Sequence, residues 1–454
     1  MTGHDSLPVA VIGAGPVGLA AAAHLLERGL EPLVIEAGPT VGSAIKSWGH
    51  VRVFSTWKYN LDSAAVRLLQ RTGWKAPRPT ALPYGQEILT QYLEPLAATH
   101  ELRQRIRTGS KVVAVTRQGM DKGRSQGRDQ TPFVLQVQDD DGQTTEVLAR
   151  AVIDASGTWN TPAPLGCNGL PVPGESEARA AGTITGALPD VAQDGFAGHR
   201  TLVIGSGHSA ANMVLDLARL ARTNPGTKVV WAIRAATPAR AYGGGNVDEL
   251  PARGQLGTRL RTAVESGAVQ LLTDFRTQSV ETADTGVIVH ATDGRTVEVD
   301  RVIPATGFRP DLGILAELRL DLDPAVDAPK ALGPLIDPDF HSCGTVPAHG
   351  ARILAHPEKD FYLAGMKSYG RAPTFLMATG YEQVRSIAAA LAGDTAAADA
   401  LELELPETGV CSTSLPADAA IAADACCGSP QPVPVTIGFA TGLVHGRSGE
   451  PAAP

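Results

Sequence analysis

Short apolar runs that end in glycine recur along this chain. Pro8–Ile12 carries no polar residue and reads as a strand buried on both faces. A glycine turn follows, then the Ala/Leu-rich stretch Pro16–Arg28, which reads as a helix. Leu33–Glu36 is the next strand, closed by Glu36, so the chain opens as a complete βαβ unit. The same order returns further on, with strand Thr201–Ile204, helix His208–Leu220 and strand Val229–Arg234.

The pattern elsewhere fills out two domains. Gln86–Thr99 reads as a helix with a kink at Pro95. Lys111–Thr116 and Phe133–Gln138 read as strands of a hairpin or meander. The polar, glycine-containing stretch Gln118–Thr131 between them is expected to be a mobile loop. Ala151–Asp154 is another buried strand and runs into Ala155-Ser156-Gly157-Thr158. Asn160–Gly174, rich in Pro and Gly, reads as a crossover between domains. Arg301–Ala305 is a strand ending in Thr306-Gly307 and is expected to mark the return to the first domain. Phe361–Gly365 is a further strand, followed by a helix from Thr374 to Leu391. The expected class is α/β, with two Rossmann-like dinucleotide-binding domains. The first domain is discontinuous, at 8–165 and 301–400, and the second, at 166–300, is inserted in it. Residues 401–454 are expected to form a cysteine-containing, partly flexible tail, since the sequence is rich in Gly and Pro from Gly428.

Composition narrows the partners. The 454 residues are 43% hydrophobic and 19% charged, which is globular and long enough for two or three cores. With 39 basic against 47 acidic residues the net charge is −8, which argues against nucleic acid or anionic lipid as the main partner. Val9–Leu26 is apolar enough to mimic a membrane span, yet Pro16, His24 and the glycines favour strand, turn and helix. Met1–Leu7 has no basic region of the kind that opens a secretory signal. A cytoplasmic protein with no membrane partner is expected. Five cysteines, an odd number in a long chain, do not form a secreted disulfide framework.

The two glycine turns carry the chemistry. In Gly13-Ala14-Gly15-Pro16-Val17-Gly18, Gly13 allows the tight turn, Gly15 lets the backbone approach a pyrophosphate, and Gly18 lets helix pack on sheet. The helix N-terminus then turns its positive end to the phosphates. Glu36 lies 18 residues beyond Gly18, where a ribose-binding acid belongs. Its carboxylate accepts from a ribose hydroxyl and repels a 2′-phosphate, so FAD fits here and NADP does not. Ala37 and Val112 join it as candidate cofactor contacts, as do Ala155, Ser156 and Gly157. The second turn is Gly205-Ser206-Gly207-His208-Ser209-Ala210, with Ala210 in the third glycine's place. Its following strand ends in Arg234, with Arg240 beyond and no acid between. A guanidinium there grips a 2′-phosphate bidentately, which favours NADPH and leaves NADH open. The alternative is that Arg234 is a solvated strand end. His208 opens the second helix and is assigned no proton-transfer role. Ala305, Thr306 and Gly307 complete the candidate nucleotide contacts.

From about residue 8 to 395 the chain resembles the two-dinucleotide flavoprotein superfamily. That superfamily includes thioredoxin reductases, glutathione reductases and flavin-containing monooxygenases. Ile153–Thr158 and Ile303–Phe308 are similar to its two Ala-Thr-Gly-type crossings, and Phe361–Gly365 to the strand that delivers the chain to the flavin. Reductases usually follow that strand with an aspartate near the ribityl chain; here Met366-Lys367 stands there. Cysteine position separates the branches. Val41–Trp48 holds none, and no two cysteines have CxxC spacing, so neither reductase pattern is met. The resemblance then implies the monooxygenase branch, in which reduced flavin and O2 give a C4a-hydroperoxide that the protein keeps dry and positioned. Trp48, Arg52 and Asp62 lie where such enzymes place a Trp…Arg…Asp stretch beside the isoalloxazine. Arg52 is the candidate contact to flavin or nicotinamide. Trp48 is either a site residue or ordinary core. The usual Phe-Gly-His signature is not recognisable, since Phe196-Ala197-Gly198-His199 is too compact.

The chain is also similar to the flavin-dependent monooxygenases of bacterial arsenic-resistance operons. Lys359–Phe361, Lys367–Phe375 and the tail cysteines carry that resemblance. It implies FAD- and NADPH-dependent oxidation, with O2, of a trivalent arsenic compound such as methylarsenite to the pentavalent form. Cys411, Cys426 and Cys427 are soft ligands suited to capture such a metalloid, with Cys343 as a possible helper. The alternative is that they are incidental reduced thiols. Two other functions stay open: a reductase of a thiol, quinone or metal ion, and a metalloid-binding or redox-sensing flavoprotein without turnover.

Overall fold

The computed structural model describes residues 6–243, 251–338, 346–373 and 375–403. Five parallel strands form the first sheet, in the order Phe361–Leu363, Ala151–Asp154, Val9–Ile12, Pro32–Ile35, Ile106–Arg107. Val9–Ile12 is central and wholly buried. Its side chains alternate: Val9 and Val11 face the helices, while Ala10 and Ile12 face the antiparallel strands Ser110–Arg117, Phe133–Asp139 and Thr144–Ala149. A strand apolar on both faces is thus explained by layers on both sides.

The second half repeats this plan. Its parallel sheet runs Gln270–Leu272, Lys228–Ala232, Arg200–Ile204, Arg301–Pro304. Leu202 and Ile204 face the antiparallel strands Thr277–Thr282, Val287–Ala291 and Thr296–Val299; Val203 faces the helix His208–Ala221. Arg301–Pro304, expected to open the return to the first domain, pairs in register with Thr201–Ile204 and belongs to the second sheet. The return follows it.

Register fixes the functional edge. Ile12 lies opposite Ile35 and Asp154, so Gly13, Glu36 and Ala155 leave the first sheet side by side. Ile204 lies opposite Ala232 and Pro304, which places Gly205 beside Ala305 in the second. Ligands bind outside such carboxyl ends in open α/β sheets.

Three local expectations change. The 86–99 stretch is not one helix kinked at Pro95. A turn at Gly85–Ile88 widens into a π-helical turn at Leu89–Leu93 and closes at Glu94–Ala97. Pro95 has no N–H for the carbonyl of Gln91, and the Trp74 indole N–H takes that carbonyl at 2.8 Å. The 118–131 loop is anchored, because buried Arg128 reaches across to buried Glu358 at 2.9 Å. The last long helix begins at Met377 and runs to Leu391. Among the described residues no helix is long and apolar enough to cross a membrane.

Candidate functional site

The first glycine turn is built by close packing on two sides and openness on the third. Gly13 has φ +97°, and a Cβ there would stand 2.9 Å from the Ala155 carbonyl oxygen. At Gly18 it would stand 1.9 Å from the Gly13 oxygen, while at Gly15 it meets nothing within 4 Å. Gly15 caps the Pro16–Glu27 helix with extended backbone and no side-chain acceptor, so the helix's first amides have no side-chain cap. Glu36 accepts the Ala14 N–H at 2.7 Å and the Gly38 N–H at 2.8 Å. These bonds tie the turn to the next strand and leave each carboxylate oxygen a further lone pair for a ribose hydroxyl. Ala37 is exposed beside it. The Val112 side chain lies in the core; its strand begins alongside, where the Ser110 N–H donates to the Glu36 carbonyl.

A buried ion pair that no sequence motif announces backs this cradle. Lys367 Nζ donates to Asp154 Oδ2 at 2.6 Å and to Ser156 Oγ at 3.1 Å, and Lys367 and Asp154 are both fully buried. Ser156 in turn donates its hydroxyl and N–H to Asp154 Oδ1. Met366-Lys367 is therefore more than a missing aspartate, because its lysine holds the Ala155-Ser156-Gly157 crossing. The neighbouring Gly365 N–H donates to buried Gln383, which also contacts His349 and Ser368. Burial holds the His349 imidazole below its ordinary range.

The second turn repeats the geometry with different chemistry. Gly205 has φ +134°, and a Cβ would stand 2.0 Å from the Ala305 oxygen; Gly207 is open. The Trp231 indole N–H donates to the Gly205 carbonyl at 2.7 Å. Gly207 opens the His208–Ala221 helix uncapped, Ser206 is exposed, Ser209 half-buried and Ala210 buried. Arg234 and Arg240 are exposed just past the strand, and Arg240 donates to the Pro338 carbonyl. Thr306 and Gly307 join the two crossings. The Thr306 hydroxyl donates to the Ala163 carbonyl, the Ala163 N–H donates to Gly307, and Trp159 stacks on Phe308 at 5.0 Å.

One segment links the two cradles. The Gly42 N–H donates to the Ala14 carbonyl in the first, and the Phe54 ring lies 4.9 Å from His208 at the head of the second. Trp48 and Arg52 lie between them in sequence. Trp48 is half-buried with its ring edge against Gly85, where a Cβ would stand 2.7 Å away. Arg52 is exposed, donates Nε to the Leu82 carbonyl, and sits 5.7 Å from the Tyr84 ring centre. Asp62 does not join them. It is buried, caps the Ser63–Gln70 helix through the Ala65 N–H, and bonds His24 Nε2 at 2.9 Å. That capping position, invisible in a sequence pattern, makes it a structural residue. The tail residues Cys411, Cys426 and Cys427 lie outside the described residues, as do Cys343 and Thr374. Cys167 is exposed on the crossover.

The two cradles thus fit FAD and NAD(P)H: an open glycine, an uncapped helix head and an acid in one, and the same frame with cations in the other. The family model of pyridine nucleotide-disulphide oxidoreductases matches residues 10–329. A nitric oxide reductase FlRd-NAD(+) reductase from Pectobacterium atrosepticum is 27% identical over 155 residues, which is 34% of this chain and 37% of that relative's length. The bacillithiol disulfide reductase of Bacillus cereus shares the fold at TM-score 0.63 and 19% identity, over 85% of this chain and 99% of its own. A flavin-containing monooxygenase from Stenotrophomonas maltophilia does so at 0.54 and 20%, over 86% and 99%. A disulfide reductase and a monooxygenase on one fold leave the reaction to be argued from the site. By its family match and its paired cradles, the chain belongs to the pyridine nucleotide-disulphide oxidoreductase family and is an oxidoreductase.

Proposed function

We propose that this protein is an FAD- and NADPH-dependent monooxygenase acting on a soft heteroatom, with trivalent (organo)arsenic as the substrate. The observation that carries the reading is the linking segment Gly42–Phe54, which joins the two cradles and contains no cysteine. Direct dithiol–disulfide exchange needs a redox cysteine pair against the flavin, and nothing in that segment supplies one. FAD in the first cradle would take up hydride and react with O2. The protein's own part is to hold the dinucleotides. Glu36 accepts from the ribose, the Gly15 and Gly207 turns receive pyrophosphates, and Arg234 with Arg240 hold the 2′-phosphate. Trp48 and Arg52 flank the place where the two cofactors meet, and Arg52 is the contact to the ring system. Cys411, Cys426 and Cys427 capture the metalloid as soft thiolate ligands.

The overall reaction consumes NADPH, a proton and O2. It gives NADP+, water and an As=O product, with the arsenic losing two electrons. The test is stoichiometric: NADPH loss, O2 uptake and pentavalent product from methylarsenite rise together in equal amounts. NADPH oxidation that proceeds without O2 supports the second reading, a reductase, which the family and the bacillithiol disulfide reductase likeness favour. Tight As(III) binding with no NADPH oxidation supports a binding or sensing protein.

A further inference from the structure

The stretch from Ala37 to Gln86, which contains the linking segment, is basic in a chain that is acidic overall. Between Ala37 and Gln86 stand seven Lys and Arg residues and a single acid, Asp62, against a net charge of −8 for the whole chain. Asp62 is buried on His24 and contributes nothing to the surface. Arg67 and Arg71 are spoken for by Glu27 and Glu101. The other five, Lys46, Arg52, Lys58, Lys75 and Arg78, are exposed or half-buried, and none forms an ion pair among the described residues. The nearest acid along the chain, Glu87, accepts the Tyr84 N–H.

Backbone pairing carries two of these cations, Arg52 and Lys58, and brings Arg78 beside Lys58, while Lys46 and Lys75 flank the pairing in sequence. Residues 51–58 run against 79–85 as an irregular ribbon: Val53 N–H to Pro83, Trp57 N–H to Ala81, Lys58 N–H to Pro79 and Gly85 N–H to Val51, at 2.9–3.0 Å. Arg52 stands opposite Tyr84, whose ring is 45% exposed. The ribbon thus presents an aromatic face among guanidinium and ammonium groups. Phe54 ties its first strand to the second cradle, and Gly42, upstream of that strand, is bonded to the first. Unpaired like charges held together at a surface raise the local concentration of counter-ions of opposite sign.

We propose that this ribbon is a binding surface for the substrate, and that the molecule it selects is a small anion bearing a carboxylate or other oxyanion. The inference deepens the function proposed above and rests on the two cradles meeting at this segment. For a trivalent arsenical, whose free acid is uncharged at neutral pH, the selected form is its adduct with a carboxylate-bearing thiol.

Lys58→Gln/Arg78→Gln is the informative variant, because both side chains lack an ion-pair partner among the described residues and stand outside the cofactor cradles. Equilibrium dialysis of the full-length, FAD-loaded protein compares benzoate with its neutral counterpart benzamide. Benzoate binds at least about tenfold tighter at low salt, and about 0.5 M NaCl removes most of that preference. The double variant reduces the preference to under about threefold, while NADPH affinity stays within about twofold of wild type. Equal binding of the two probes overturns the proposal, and so does a preference that survives in the double variant. A parallel loss of NADPH affinity also overturns it, by assigning the ribbon to the nucleotide. Flavin bleaching by NADPH in the same samples reports on the functional reading separately, so a protein that fails there still tests the anion preference.

Discussion

The two glycine cradles share a frame and differ in charge, and on the reading proposed above that difference separates the two nucleotides. Both use a positive-φ glycine pressed on a crossing segment and leave the next glycine open. The first is closed by a carboxylate: Glu36 holds the turn, accepting the Ala14 N–H. It is also backed by the buried Lys367–Asp154 pair. The second has no acid in that place, and Arg234 and Arg240 are exposed there. The frame comes from packing and is duplicated, while the specificity comes from the few residues at the strand ends.

The glycines break this comparison most sharply. Gly18→Ala would put its methyl 1.9 Å from the Gly13 oxygen, and Gly205→Ala would add a side chain at φ +134° and 2.0 Å from Ala305. Each is expected to cost about 3 kcal/mol or more in chemical denaturation. Gly15→Ala meets nothing in the folded chain. It should leave stability within about 1 kcal/mol and lower FAD affinity by about tenfold or more in fluorescence titration. A loss of stability equal to that of Gly18→Ala would contradict the open-glycine account.

Removing one partner of the buried pair has the next largest effect. Lys367→Met leaves Asp154 unpaired and is expected to cost about 3 kcal/mol, while Lys367→Met/Asp154→Asn recovers most of it. Urea unfolding of the three proteins checks this. At the second cradle, Arg234→Gln should raise KM for NADPH about tenfold and leave NADH unchanged, because only the 2′-phosphate contact is lost. An equal rise for both nucleotides would make Arg234 a solvated strand end.

A pH dependence gives a further test. Burial pushes the His356 imidazole down to about 4, and its Nδ1 accepts the Asp321 N–H. The unfolded chain then binds the proton that the folded chain refuses. Stability is full above the ordinary histidine range and falls as pH drops from about 6.5 toward 4, by about 2 kcal/mol. His356→Gln should flatten that slope in thermal melts.

The frame was legible in the sequence because strands buried on both faces must be apolar runs and tight turns must be glycine. Val9–Ile12 and Arg200–Ile204 show this directly. Contacts between distant charges were not legible. Lys367 meets Asp154 across 213 residues and Arg128 meets Glu358 across 230, and no local pattern marks either pair. For that reason the 118–131 loop read as mobile although Arg128 fixes it. Asp62 carried the residue type of a site aspartate, but its direction, inward onto His24 and the helix head, was set by packing. The Gln91 carbonyl freed by Pro95 was foreseeable as a kink; that Trp74 would take it was not.

The central claim is that the two cradles serve NADPH-driven oxygenation rather than dithiol reduction. The most direct measurement reduces the FAD-loaded protein with one equivalent of NADPH under anaerobic conditions, then admits O2 with methylarsenite and follows product by arsenic speciation. The account predicts one pentavalent arsenic formed per NADPH consumed, and none before O2 enters. Flavin reoxidised by a disulfide, quinone or metal ion without O2, or by O2 with no pentavalent arsenic formed, would contradict it.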